Sequence, residues 1–263
     1  MSNRKKKSPG PLTWRLRFGP LVFFLLMPSL AAFGQEHEFE EAVALLEQGE
    51  ARLDIRALNR AEAIFLENCQ GPGRDSFCEY YLGRVALAQY SYFSSVKPHP
   101  GKASRALSRA EKFGRQALVR RPNDPEVHVL MGKIYQVKLS QRPVSELSQA
   151  VLDQSPVVKS FTRALELDPD NGEAELGLGI YYLFIPQFLG GDGHRARNHF
   201  KRAAKLMPDN PEPLVWLSIA YRQEGRLREA RQYLDRAIAL DPNHPFVQAE
   251  AARLLSAERG QRK

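Results

Sequence analysis

Few side chains in this 263-residue sequence are spaced for metal binding or catalysis. His194 and His199 are five residues apart, a spacing that puts two side chains on different faces of a helix and does not suit a shared metal ion. The sequence contains no Cys-x-x-Cys motif, and no carboxylate pair or Ser/His/Asp group falls at a diagnostic spacing. We therefore expect no metal site, no cofactor and no catalytic residue. An enzyme would need residues that only long-range folding brings together.

Gly190, Gly191 and Gly193 form a cluster that invites comparison with a phosphate-binding loop. Nucleotide loops of this kind follow a strand and contain Gly-Lys-Ser/Thr, and neither signal is present here. We interpret the cluster as a tight turn that needs a positive φ angle. The aromatic residues just before it either fill the core or line a pocket; they are Tyr181, Tyr182, Phe184 and Phe188.

Residues 1–34 have the layout of a secretory signal peptide, with a basic stretch (1–19), an apolar stretch (20–33) and small residues before Gln35. The apolar stretch is shorter than the roughly 20 residues that a membrane-spanning helix needs, so an uncleaved anchor is the less favoured alternative. We expect cleavage after Gly34 and a periplasmic or cell-envelope location.

The net charge of +8 is concentrated in this leader. Six of the 38 lysines and arginines lie in residues 1–34, which hold no acidic residue, so the remaining 32 face 30 acidic residues. Residues 35–263 therefore have a net charge of +2, which gives no reason to expect a nucleic-acid partner.

Cys69 and Cys78 are the two cysteines, and export would place them where thiols are usually oxidised. The residues between them include Gly71, Pro72 and Gly73, so the chain can turn back on itself. We predict a disulfide between Cys69 and Cys78; the alternative is two buried free thiols.

The C-terminal part of the chain carries a spaced set of small and large apolar residues. Its members are Leu214, Leu217, Ser218, Tyr221, Ala230, Leu234, Ala237 and Pro242. The second half of the set recurs before Pro208, Pro169 and Pro122, and Leu-Gly or Met-Gly pairs repeat the first half. The set resembles the 34-residue tetratricopeptide repeat (TPR) family, in which small residues let two helices approach and proline follows the second helix.

The resemblance implies an all-α fold, a right-handed superhelix (α-solenoid) of TPR helix pairs, because one pair cannot bury its apolar face alone. We divide the chain into the signal peptide (1–34), a degenerate N-terminal helix pair (35–75), four TPR-like pairs (76–242) and a C-terminal cap helix with a tail (243–263).

Successive repeats differ in the number of residues between the Leu-Gly position and the terminal proline. The interval is 39, 37, 29 and 24 residues, whereas the TPR pattern has about 24. The excess lies between the two helices of a pair and predicts inserted loops along one edge, a candidate surface for binding or oligomerisation. The alternative is longer helices with inert connections.

In TPR proteins that bind peptides, the first helix of each pair lines the concave face. The resemblance places these residues there: Tyr80, Arg84, Val129, Lys133, Leu176, Ile180, Val215, Ile219 and Arg222. We therefore expect an apolar groove with a few cations, which binds a protein or peptide carrying an acidic group. The alternative ligand is a small apolar carboxylate, and each apolar residue has the simpler interpretation of packing between helices.

The predicted second helices are markedly basic. Their cations include Lys102, Arg105, Arg109, Lys112, Arg115, Arg120, Arg121, Arg195, Arg197, Lys201, Arg202 and Lys205. Such helices lie on the convex side, where they would form either a patch for an anionic envelope surface or an ordinary solvated face.

These features predict a non-enzymatic TPR scaffold in the periplasm that binds a protein partner through its concave groove and inserted loops. A second hypothesis is a ligand-binding accessory of a transport system, because the segment from Ile185 to His194 resembles a glycine-rich loop in the TPR component of TRAP transporters. Self-association through the inserted loops is a further alternative.

Overall fold

Eleven α-helices, and no strand, are found among the residues that the computed structural model describes, which are 30–69, 77–146 and 155–261. The helices are α1 (Leu30–Arg52), α2 (Ile55–Asn68), α3 (Cys78–Ser91), α4 (Pro100–Arg120), α5 (Pro125–Ser140), α6 (Pro156–Leu167), α7 (Gly172–Phe184), α8 (Gly193–Leu206), α9 (Glu212–Gln223), α10 (Leu227–Leu240) and α11 (Pro245–Gln261). The predicted all-α class is confirmed.

The helices stack as successive pairs. Each odd-numbered helix from α1 to α9 packs against the even-numbered helix that follows it, and α11 packs against both members of the last pair. The odd-numbered helices also contact one another in order from α1 to α11, so they form one continuous layer. This arrangement is the predicted α-solenoid, and its inner layer consists of the first helices of the pairs.

Large rings packed on glycines hold neighbouring helices together. Phe161 of α6 is fully buried, and a Cβ atom added to Gly132 of α5 would lie 2.7 Å from its ring. A Cβ atom on Gly177 of α7 would come closer still, and Gly179 stands in the same relation to Phe200 of α8. The small residues of the repeat pattern are therefore the places where a ring and a helix backbone meet.

Three of the inner helices begin in the same way. Asp124 caps α5, and its Oδ1 atom accepts a hydrogen bond from the backbone N–H of Glu126 at 2.9 Å. Asn171 caps α7 through the N–H of Ala174, and Asn210 accepts from the N–H of Glu212 just before α9. Because these side chains satisfy N–H groups at the helix starts, they fix the first turn of each helix.

The excess residues of the first TPR-like pair lengthen its helices. The α3 helix continues into a π-helical turn (Tyr92–Val96), and α4 begins after a short connection and runs for 21 residues. The prediction of an inserted loop is therefore wrong for this pair, because the added residues continue the helical hydrogen bonding. In the next pair, residues 147–154 lie outside the described residues.

A disulfide joins Cys69, at the end of α2, to Cys78, at the start of α3. The predicted turn residues Gly71, Pro72 and Gly73 lie outside the described residues. The bond connects the N-terminal helix pair covalently to the next one.

Reduction of this disulfide is expected to lower the free energy of unfolding by about 2 to 3 kcal/mol, because the bond closes a short loop and so restricts the unfolded chain. Urea unfolding with and without a reducing agent measures the difference. The Cys69→Ser/Cys78→Ser variant is the control, since its stability should not respond to the reducing agent. An equal midpoint for the oxidised and reduced natural chain would contradict the expectation.

The predicted signal peptide lies mostly outside the described residues, and its last five residues, 30–34, belong to α1. Within the part of the chain that the structure describes, every helix is too short or too polar to span a bilayer.

Candidate functional site

A cavity of about 580 Å³ opens on the inner layer of the solenoid. Its walls come from α1, α3, α5, α7, the first turn of α9 and the segments that lead into α9 and α11. The lining residues are Glu47, Glu50, Ala51, Leu53, Tyr80, Arg84, Leu87, Ala88, Ser91, Glu126, Val129, Leu130, Lys133, Glu173, Asn210, Glu212 and His244. Residues that are far apart in sequence thus share one concave site.

Four of the predicted concave residues line this cavity; they are Tyr80, Arg84, Val129 and Lys133. Tyr80 and Val129 are themselves largely buried, with 8% and 3% of their surface exposed. Leu176, Val215 and Ile219 do not line the cavity and are buried in the core shared by the C-terminal pairs, and Ile180 packs against the same core. The core also contains Val247 of α11, and α11 packs against α9, the helix that carries Val215 and Ile219.

Arg222 was also predicted to face a partner, but it forms an internal ion pair. Its Nε atom lies 2.6 Å from Oε1 of Glu250, a fully buried carboxylate on α11, and Nη2 donates to Oε2 at 3.0 Å. The predicted apolar groove is therefore replaced by a smaller cavity with charged walls.

Glutamates in the first turns of α5, α7 and α9 line the cavity, and the sequence analysis missed them. They are Glu126, Glu173 and Glu212. Each follows an Asp or Asn cap by two residues, which is a detectable signal in the sequence. Acidic residues at a helix start are common because they favour the positive end of the helix dipole, so this spacing alone does not identify a binding site.

Two ion pairs bridge neighbouring inner helices. Nη2 of Arg84 lies 2.5 Å from Oε2 of Glu50, and Nζ of Lys133 lies 2.7 Å from Oε2 of Glu173. The lysine holds the pKa of the Glu173 carboxyl below its usual value. Burial would lower the pKa of Lys133, but the Glu173 carboxylate outweighs burial and raises it. The pair of Lys133 and Glu173 is therefore charged at neutral pH.

The other two first-turn glutamates differ in their partners. Glu126 accepts hydrogen bonds from Nδ2 of Asn171 at 2.8 Å and from the hydroxyl of Tyr80 at 3.4 Å. Burial raises the pKa of that hydroxyl to about 12, so it stays a donor. Glu212 makes no ion pair or side-chain hydrogen bond with the described residues, and burial followed by repulsion from Glu173 raises the pKa of its carboxyl.

Most of the arginines in the predicted basic patch are already paired. On α4, Arg109 pairs with Glu62, Arg115 with Glu111, Arg120 with Glu79 and Arg121 with Asp124; on α8, Arg197 pairs with Glu224 and Arg202 with Glu175. The convex face therefore carries much less uncompensated positive charge than the sequence suggests.

The glycine cluster is a turn, as predicted. Gly190 has a φ angle of 90°, and a Cβ atom on Gly191 would collide with the carbonyl of Ile185. His199 contacts Glu175 rather than His194. Across the described residues, no group of three or more His, Cys, Asp or Glu side chains is placed to hold a metal ion.

Comparison with known proteins agrees with the stacked helix pairs. The sequence profile of the family described as Tetratricopeptide repeat matches residues 188–257. The chain contains tetratricopeptide repeats. The TPR solenoid of TTC0263, a thermophilic TPR protein from Thermus thermophilus, is similar to this chain with a TM-score of 0.63 at 20% identity, over 85% of this chain and 98% of that one.

Two mouse proteins show similarity in sequence. Superkiller complex protein 3 is 29% identical over 139 residues, and Protein O-mannosyl-transferase TMTC1 is 30% identical over 142 residues. The matched regions are 52% and 54% of this TPR chain, but only 8% and 13% of those proteins. The likeness therefore concerns the repeats rather than the whole proteins.

Proposed function

We propose that this TPR chain is a non-enzymatic scaffold that holds a segment of a protein partner in its concave cavity. The observation that carries the proposal is the cavity itself, which is built from residues of five repeat pairs and the cap and contains accessible charged groups. Lys133, for example, lies deep in the concavity and still keeps 43% of its side chain exposed.

The lining suits a polypeptide because it contains both apolar and charged groups. Leu53 and Leu87 are partly exposed and offer apolar contact, whereas Arg84 and Glu173 belong to ion pairs that a partner's polar groups can approach. Binding sites of this kind combine a mainly apolar contact area with a few polar groups that fix orientation.

Export is part of the proposal. It is supported by the signal-peptide layout of residues 1–34 and by the disulfide between Cys69 and Cys78, since such bonds persist mainly in oxidising compartments. These two features together support a periplasmic or envelope location.

A small apolar carboxylate bound on behalf of a transport system is the second candidate. Arg84 and Lys133 in the cavity favour an anionic ligand, but each is already paired with a glutamate. A free carboxylate would therefore have to compete with carboxylates of the protein, which makes the polypeptide the better occupant.

Native mass spectrometry of the chain, purified gently from the cells that produce it, separates the two candidates. We expect a complex whose added mass is that of a polypeptide. An added mass below one kilodalton that is lost on denaturation would overturn the scaffold proposal in favour of the small ligand.

A further inference from the structure

We propose that the partner segment inserts a lysine or arginine side chain into the cavity, where Glu212 receives its positive charge. This inference rests on the proposed function and specifies the chemistry of the partner. It concerns the end of the cavity formed by the first turn of α9 and the segment before α11.

The cavity lining holds more acidic than basic side chains. Five carboxylates line the cavity and only two permanent cations, Arg84 and Lys133, lie among them. Each cation is paired with one glutamate, namely Glu50 and Glu173. The lining therefore carries a net negative charge, which favours a cationic guest and opposes an anionic one.

Glu212 is the lining carboxylate that a guest cation would contact. Its carboxyl lines the cavity, is partly exposed, and makes no hydrogen bond or ion pair with the described residues; Glu173 repels it and the more distant charge of Lys133 attracts it. Asn210 accepts a hydrogen bond from the backbone N–H of Glu212, so the carboxyl is not needed as a side-chain cap of α9 and favours the helix start only through its charge. A carboxylate withdrawn from water without a partner costs free energy, and a guest cation would offset that cost.

Glu126 and Glu173 differ from Glu212 because each of them has a partner within the protein. All three glutamates occupy corresponding first turns, yet Glu126 is held by Asn171 and Tyr80, and Glu173 is held by Lys133. Glu212 is thus the member of this row that remains available to a ligand. A lysine or arginine side chain has the length to reach such a group while its alkyl part contacts apolar walls.

The pH dependence follows from the charged and titratable groups that face the cavity: Glu47 and Glu50 from α1, Tyr80 and Arg84 from α3, Glu126 and Lys133 from α5, Glu173 from α7, Glu212 from α9 and His244 before α11. Glu212 is neutralised at a higher pH than an ordinary glutamate, because burial and repulsion from Glu173 raise the pKa of its carboxyl. Loss of that negative charge weakens the binding of a cation, so affinity should fall as the pH is lowered from neutral towards about 4.5.

Fluorescence anisotropy with three labelled peptides tests the inference on the full chain. The peptides share an alanine–leucine background and differ at two central positions, which are lysine, glutamine or glutamate. We expect the lysine peptide to bind about tenfold more tightly than the glutamine peptide, and the glutamate peptide to bind most weakly. The Glu212→Gln substitution should remove most of the preference for lysine without changing the affinity for the glutamine peptide.

A matched control removes one negative charge elsewhere. Glu166 on α6 has a 56% exposed side chain, and Glu166→Gln should alter the affinity for the lysine peptide less than about twofold. Urea unfolding of Glu212→Gln distinguishes binding from folding: if Glu212 serves a ligand, its loss should not lower the unfolding midpoint.

Three outcomes would overturn the inference. Equal binding of all three peptides would remove the lysine preference and leave the proposed function standing. Binding of spermidine, but of no peptide, in a Glu212-dependent manner would assign the cavity to a free polyamine and overturn the proposed function as well. Absence of binding by any of these probes at millimolar concentration would also overturn the inference.

Discussion

Replacing Phe161 with alanine is expected to lower the free energy of unfolding by about 3 to 5 kcal/mol. The ring is fully buried and lies between the backbones of α5 and α7, against Gly132 and Gly177. Because neither glycine has a side chain that can move into the space, the substitution leaves a cavity at the junction of two repeats. The midpoint of urea or thermal unfolding measures the effect.

Phe188 provides the matched control, since it lies in the turn before α8 and is 77% exposed. Phe188→Ala removes the same side chain and should change stability by less than about 0.5 kcal/mol. A similar loss for both variants would mean that ring packing on glycine does not hold the repeats together.

Replacing Arg222 with alanine is expected to lower the free energy of unfolding by about 3 kcal/mol, because the substitution leaves the buried carboxylate of Glu250 without its counter-ion. The pair joins α9 to the cap helix α11, so the loss should appear as early detachment of α11 as well as a lower unfolding midpoint. Hydrogen exchange of the α11 amides, together with urea unfolding, measures both effects.

Two further variants test whether the unpaired, buried charge of Glu250 causes this loss of stability. Arg231 pairs with Glu258 of α11 in a similar geometry, but both side chains are about one third exposed, so Arg231→Ala should cost less than about 1 kcal/mol. Adding Glu250→Gln to Arg222→Ala should restore part of the lost stability, because the amide carries no charge to desolvate. A double variant that is no more stable than the single one would contradict this explanation.

The helix pairs could be predicted because their signals are local. The spacing of Gly132, Phe161 and Pro169 reports which residues approach within one pair, and that packing needs no knowledge of the whole chain. The number of residues between the Leu-Gly position and the terminal proline was less informative about structure, since the same excess of residues can lengthen helices or form a loop. The π-helical turn Tyr92–Val96 shows that lengthening occurred in the first TPR-like pair.

The site was harder to predict because the curvature of the superhelix decides which residues of the inner helices face the cavity. Pattern alone placed Tyr80 and Val215 in equivalent positions, yet the first lines the cavity and the second is buried in the core that α9 shares with α11. Glu212 was missed because its sequence context is that of any helix start. Only the superhelix shows that the beginnings of α5, α7 and α9 converge on one space.

Photo-cross-linking in the cells that produce the protein tests most directly whether the concave cavity holds a polypeptide. The photoreactive residue p-benzoylphenylalanine would replace Leu87, which lines the cavity, or Val119, which is 83% exposed on α4. We expect a discrete polypeptide adduct from position 87 and none from position 119. Equal adducts from both positions, or an adduct from position 119 alone, would contradict the assignment of the concave cavity as the binding site.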